Sequence, residues 1–195
     1  MPPQALERRR TLPPRGLRVP RLARRTKTLI FLGAATLSFN LALTWIDSRL
    51  KATGGPGILG LEFAGSLDRV REIEAEWGAH GEYLARLSLW IDFGFMASYG
   101  AFFALAAFAV RDFAAARGLR RLVAVGMVAP ACAIAAALFD VAENTLWLLV
   151  LGGHLGEPAA PIATACACLK FGLIAVAILY SLAGLLAWVR LRRSG

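Results

Sequence analysis

Residues 122–151, LVAVGMVAPACAIAAALFDVAENTLWLLVL, decide how this chain is read. The stretch opens with 18 residues, Leu122 to Phe139, that carry no charge. At ~1.5 Å of helix rise per residue and roughly 30 Å of hydrocarbon, such a run and its flanks cross a bilayer as an α-helix. Asp140 ends the run, yet the sequence stays apolar as far as Leu151. Glu143, Asn144 and Trp147 follow Asp140 at i+3, i+4 and i+7. One helical face therefore presents two carboxylates, an amide and an indole at membrane level.

Three more uncharged runs accompany this one: Thr28 to Ile46, Phe93 to Val110 and Phe171 to Val189, with 19, 18 and 19 residues. The short alternating segments that a membrane β-barrel needs are missing. With 57% hydrophobic residues, 18% charged residues and a mean hydropathy of +0.57, the chain lies outside the usual composition of a soluble domain. The expected fold class is all-α, a four-helix transmembrane bundle with an additional amphipathic helix in the first outward loop. Spans are expected at about 28–47, 88–110, 122–151 and 162–189, within a single membrane domain over 28–189. A basic tail over 1–27 is expected to be disordered, and residues 190–195 form the C-terminus.

A net charge of +9 and a pI near 10.5 would suggest a nucleic-acid partner in a soluble protein. Here the bases lie outside the apolar runs, so the charge reports orientation and no nucleic acid is expected. Lys and Arg close to span ends are retained on the cytoplasmic side. Residues 1–27 carry eight Arg and one Lys, the 111–121 connection carries Arg111, Arg117, Arg120 and Arg121, and the C-terminus carries Arg190, Arg192 and Arg193. By contrast, Asp47 to Leu87 holds seven acids against five bases, and the 152–163 connection has Glu157 with no Lys or Arg. Both termini are thus expected in the cytoplasm and both acidic connections outside, in a cell (inner) membrane. A cleaved signal peptide is the alternative for the N-terminal region, with Arg24-Arg25 loosely like a twin-arginine signal. The apolar run exceeds a typical signal core and lacks a clean small-x-small site, which favours a retained anchor.

In the first outward connection, Gly54-Gly55-Pro56-Gly57 breaks any helix leaving the first span. Leu67, Val70, Ile73 and Trp77 recur at spacings of three and four among charged neighbours, which predicts an amphipathic helix over about 67–77. Ser66 is its expected N-cap, Asp68 stands in its first turn and Gly78 is its expected terminator. Its apolar side is expected to pack over the outward ends of the bundle, with the outer leaflet as the alternative, since its polar faces lack the basic residues of interfacial helices. Trp45, Trp90 and Trp147 read as an outer aromatic belt and Trp188 as an inner anchor. Small residues crowd the second and third spans, allowing close helix approach, and Pro130 is a candidate kink.

Counted from its inner boundary, each span meets its first charge after 18 or 19 positions, at Asp47, Asp92, Asp140 and Lys170. These residues share one height, roughly 27–29 Å from the inner edge. Lys170 is the one basic residue at that level and the natural counter-ion of Asp92, Asp140 and Glu143. Enclosed acids in excess of their cation cannot all ionise cheaply, so at least one is expected to keep a proton or to meet a cation. Glu62, in Leu59-Gly60-Leu61-Glu62-Phe63-Ala64, is expected to fold back to the same chamber, the alternative being an exposed acid at a helix start. The candidate polar site is thus Asp92, Asp140, Glu143, Asn144, Lys170, Glu62 and Trp147; a purely structural ion network has the same signature. Asn40 and Tyr99 read as hydrogen-bonding links between helices.

Cys132, Cys166 and Cys168 form no C-x-x-C pair, which argues against quinone-linked thiol oxidoreductases and vitamin K reductases. His80 and His154 lack ligand spacing, so no metal is expected, and no cofactor motif is present. The G-x-S-x-G, H-E-x-x-H and phosphate-loop patterns are also missing.

The strings Leu61-Glu62-Phe63-Ala64, Asp92-Phe93-Gly94-Phe95-Met96 and Asp140-Val141-Ala142-Glu143-Asn144 resemble small uncharacterised bacterial four-span integral membrane proteins, over residues 28–189. That resemblance implies a topology and supplies no activity. A looser similarity is to the sterol-isomerase and sigma-2-receptor group, whose bundles hold carboxylates in a lipid-facing pocket, but its motifs are not matched. Three functions follow as expectations. The first is an outward acidic chamber binding a cationic or amphiphilic ligand, with Trp147 as an apolar or cation-π wall. The second is a structural or assembly subunit with a membrane-protein partner or a second copy. The third is an intramembrane lipid-modifying enzyme using one protonated carboxyl.

Overall fold

A computed structural model describes residues 19–193, with side chains from residue 24. The helices in chain order are α1 (Val19–Lys51), α2 (Ile58–Glu62), α3 (Leu67–Ala116), α4 (Arg120–Ala124), α5 (Val128–Leu151) and α6 (Ala159–Arg193). No strand occurs among the described residues. Four of the helices, α1, α3, α5 and α6, are long and apolar enough to cross a membrane. Residues 1–18 of the tail expected to be disordered lie outside the described residues. The remainder, 19–27, belongs to α1, whose second residue is Pro20; the missing N–H is harmless there, and Leu, Ala and Arg extend the turn.

The third span differs most from expectation. It starts at Val128 rather than 122, and residues 120–124 form the separate short helix α4. Pro130 explains the break: in a continuous helix its ring would collide with the Gly126 carbonyl and its nitrogen could not donate to it. At the third position of α5, the same proline lies in a first turn whose N–H groups have no intrahelical partner. Pro130 therefore starts the span instead of kinking it.

Helix α3 is capped by Ser66, whose Oγ accepts from the Arg69 N–H at 3.3 Å, with Asp68 in the first turn. Val70, Ile73 and Trp77 of its first part are buried. Gly78 then adopts φ 59° and ψ −176°, a conformation open to a residue without Cβ, and the chain returns to helix at once. Gly78 is thus a non-helical break between two helical stretches of α3, at the position where the sequence expects a terminator.

Two kinds of packing hold the bundle. Toward the acidic end, a hydrophobic core joins Ile46 and Leu50 of α1, Leu61 of α2, Val70, Ile73, Trp77 and Leu89 of α3, and Trp147 and Leu151 of α5. Toward the basic end, contacts are made by small residues: Ala104 with Ala133 and Ala177, and Ala107 with Ala129. A Cβ on Gly184 would lie 2.4 Å from both methyls of Val110, so α6 and α3 touch nearly backbone to side chain. Helix α1 packs on α3 and makes little contact with α5 or α6; its most apolar stretch is only 6% buried.

Trp147 is not part of an aromatic belt, because it is fully buried in the core at the acidic end. Trp45 and Trp90, 59% and 65% exposed, do face outward from the bundle. An indole suits either place, and only the rotation of α5 about its axis selects the core.

Candidate functional site

The connection between α1 and α3 is fastened to the bundle by polar contacts that its sequence does not advertise. The Asp47 carboxylate accepts the Ile58 N–H at 2.7 Å, opening α2, and also meets Lys51 Nζ at 2.7 Å. From α6, Thr164 Oγ1 donates to the Glu62 carbonyl at 2.9 Å and accepts the Gly65 N–H at 3.1 Å. Glu157 accepts the Leu67 N–H at 2.6 Å, and Trp77 Nε1 donates to the Pro56 carbonyl at 2.7 Å. Arg86 donates to the Leu151 carbonyl. These bonds turn the Glu62 side chain inward.

Lys170 lies at the centre of what results. Its Nζ stands 2.8 Å from Asp140 Oδ1, 2.9 Å from Glu143 Oε2 and 3.4 Å from Glu62 Oε1. All four side chains are less than a tenth exposed. The ammonium donates a hydrogen bond to Asp140 Oδ1, while Glu143 and Glu62 lie within ion-pair distance of it. Tyr99 donates its hydroxyl to the second oxygen, Oδ2, of Asp140 at 2.8 Å. The cluster thus joins α2, α3, α5 and α6 around one cation. Burial pushes the Glu62 carboxyl above its ordinary value, against the opposing pull of Lys170.

A second polar unit adjoins the first. Asn144 Nδ2 donates to Asp92 Oδ2 at 2.9 Å and to the Leu89 carbonyl at 3.2 Å. No cation pairs with Asp92 among the described residues. Of the expected site residues, Glu62, Asp140, Glu143 and Lys170 share one cluster, while Asp92 and Asn144 form the neighbouring pair. Trp147 stands apart in the apolar core, so the expected cation-π wall is replaced by packing. Phe171 instead lies against the cation, with its ring centre 5.1 Å from Lys170 Nζ. Tyr99 is the expected hydrogen-bonding link between helices, here from α3 to α5, and the partner it meets is the cluster's Asp140. A lone phenol in an apolar run carries no signal of which carboxylate it will meet.

Beside these groups lies a cleft of about 510 Å³. Leu43 and Thr44 of α1 form one wall, and Phe171, Ile174 and Ile178 of α6 the other. Its floor combines Asp92, Tyr99, Asp140 and Lys170, and the end nearest α2 is bounded by Asp47, Ile58 and Glu62. Asn40, exposed on α1, also faces this space; its side chain makes no hydrogen bond to another helix among the described residues. The chemistry is that of an apolar slot over an acidic floor.

Elsewhere, no group of three or more His, Cys, Asp or Glu side chains has metal-site geometry among the described residues. The cysteines are unpaired. In comparisons with protein-family models, curated proteins and solved structures, nothing matches this chain significantly.

Proposed function

We propose that this chain is a multi-pass integral membrane protein of the inner membrane, of the small bacterial four-span kind, whose outward acidic cleft binds a cationic amphiphile. Both termini are placed in the cytoplasm on the strength of the basic inner connections. In this reading the first part of α3, over 67–77, acts as the amphipathic cover of the outward core. The observation that carries the proposal is Asp92. It is a half-buried carboxylate in the cleft, held by one amide and met by no cation among the described residues. A protonated amine fits against Asp92, with its alkyl chain between α1 and α6, where apolar side chains face one another across the slot.

The Lys170 cluster has a different role, since its ammonium already has three acidic neighbours. It holds α2, α5 and α6 together and shapes the floor. Asp140 and Glu143 therefore support the fold, and Asp92 is the residue whose neutralisation separates binding from folding. That same pairing favours a second reading, a structural or assembly subunit in which α1, scarcely covered, takes a neighbouring membrane helix. Stoichiometric co-purification of one membrane partner would favour that alternative.

The test uses the full chain in phosphatidylcholine nanodiscs, titrated with dodecylamine, with dodecyl sulfate as the anionic control. At 100 times its Kd a ligand adds about 2.7 kcal/mol of stability, a shift of several degrees. Wild type should show that shift with the amine alone. Asp92→Asn should melt like wild type without ligand and lose the shift. A shift preserved in Asp92→Asn, or equal for amine and sulfate, defeats the proposal.

A further inference from the structure

At the opposite, basic end of the bundle, Arg111 projects from the last turns of α3 beneath the turn that joins α4 to α5. Its stem lies against Gly126: a Cβ there would come within 2.7 Å of Arg111 Cγ, 2.9 Å of its Cδ and 2.9 Å of the Tyr180 hydroxyl. Tyr180 donates to the Leu122 carbonyl at 3.0 Å, so α3, α4, α5 and α6 converge on this point. Arg111 Nε is buried without a hydrogen-bond partner, and the guanidinium pairs with no acid among the described residues. The adjacent acid, Asp112, is taken by Arg25 at 2.7 Å.

We infer that Arg111 and the α4–α5 turn form a binding site for the phosphate of an anionic phospholipid. A partly enclosed guanidinium without an anion is costly, and its planar fork matches two phosphate oxygens. The turn itself argues for a lipid over a free ion. Val125 and Met127, on either side of the glycine that the Arg111 stem touches, are 48% and 56% exposed and offer apolar surface to acyl chains. Arg120 and Arg121, exposed on α4, add positive potential that draws anionic headgroups to the same end. The site shares no residue with the acidic cleft, so either can fail without the other.

The experiment measures binding of phosphatidylglycerol to the full chain in phosphatidylcholine nanodiscs, with inorganic phosphate as the free-anion probe. Wild type should take up phosphatidylglycerol saturably and ignore phosphate. Arg111→Gln should weaken uptake by about tenfold or more, the value of a charge-assisted bidentate contact. Arg117→Gln, an exposed charge on the same end, should stay within about twofold of wild type. Arg111→Lys keeps the charge and stem but loses the fork, and should weaken uptake several-fold. If Arg111→Gln does not fold, Arg111→Lys decides alone, and wild-type uptake by it overturns the site. Unchanged uptake by Arg111→Gln, an equal loss in Arg117→Gln, or competition by inorganic phosphate would each overturn the inference as well.

Discussion

Lys170→Met removes the one cation from a buried group of three carboxylates while keeping the length and apolar character of the side chain. The ammonium contacts are 2.8, 2.9 and 3.4 Å long. Even at 4 Å, a pair of unit charges attracts by about 4 kcal/mol at an effective dielectric near 20, so the gross loss is large. The net loss is smaller, because desolvation of the charged groups already opposes the pairing. Breaking a buried pair from one side costs about 3–5 kcal/mol. For a chain of this length each kcal/mol moves the midpoint by about 2–4 °C, so a drop of roughly 10 °C is expected. The drop must also depend on pH. Without the ammonium that opposes the effect of burial, Glu62 keeps its proton further above the ordinary carboxylate range in the folded variant than in the unfolded chain, so the deficit grows as pH rises from 4 to 8. Replacing Glu62, Asp140 and Glu143 by their amides in the same variant should recover most of the loss at pH 8. Thermal unfolding in nanodiscs, followed by circular dichroism at several pH values, reads all of this. A midpoint within 2 °C of wild type, or a deficit that shrinks as pH rises, would refute the argument.

Glu62→Gln removes an acid that burial pushes above its ordinary value; such a group lends stability below the ordinary carboxylate range and loses it as pH rises. The stability of wild type relative to Glu62→Gln should therefore fall between pH 4 and 8 in the same melting assay, and a flat or rising difference would contradict it. Trp147→Ala, which empties a fully buried site in the core at the acidic end, should cost about 3–5 kcal/mol, whereas Trp45→Ala, at a 59% exposed position, should change little. Gly184→Ala places a methyl 2.4 Å from Val110 and should destabilise by about 1–3 kcal/mol. Adding Val110→Ala should return much of that, as a double-mutant cycle of melting points would show.

The helices and their capacity to cross a bilayer were legible in the linear order of residues. Runs of 18 or 19 uncharged positions allow little else, because backbone groups in hydrocarbon must bond within their own segment. The shared height of Asp140 and Lys170 was legible too, since counting residues along a helix measures depth. Rotation and long-range closure were not. Glu62 reaches Lys170 because Thr164 and Asp47 pin α2 from two other helices, contacts spanning 102 and 11 residues that no local pattern encodes. Tyr99 and Trp147 illustrate the same point in opposite directions: one proved a partner of the charged cluster, the other a core residue. Sequence order sets the depth of a side chain in a bundle, but its neighbours depend on how each helix turns about its axis. That turn is decided by the fit of all the helices at once.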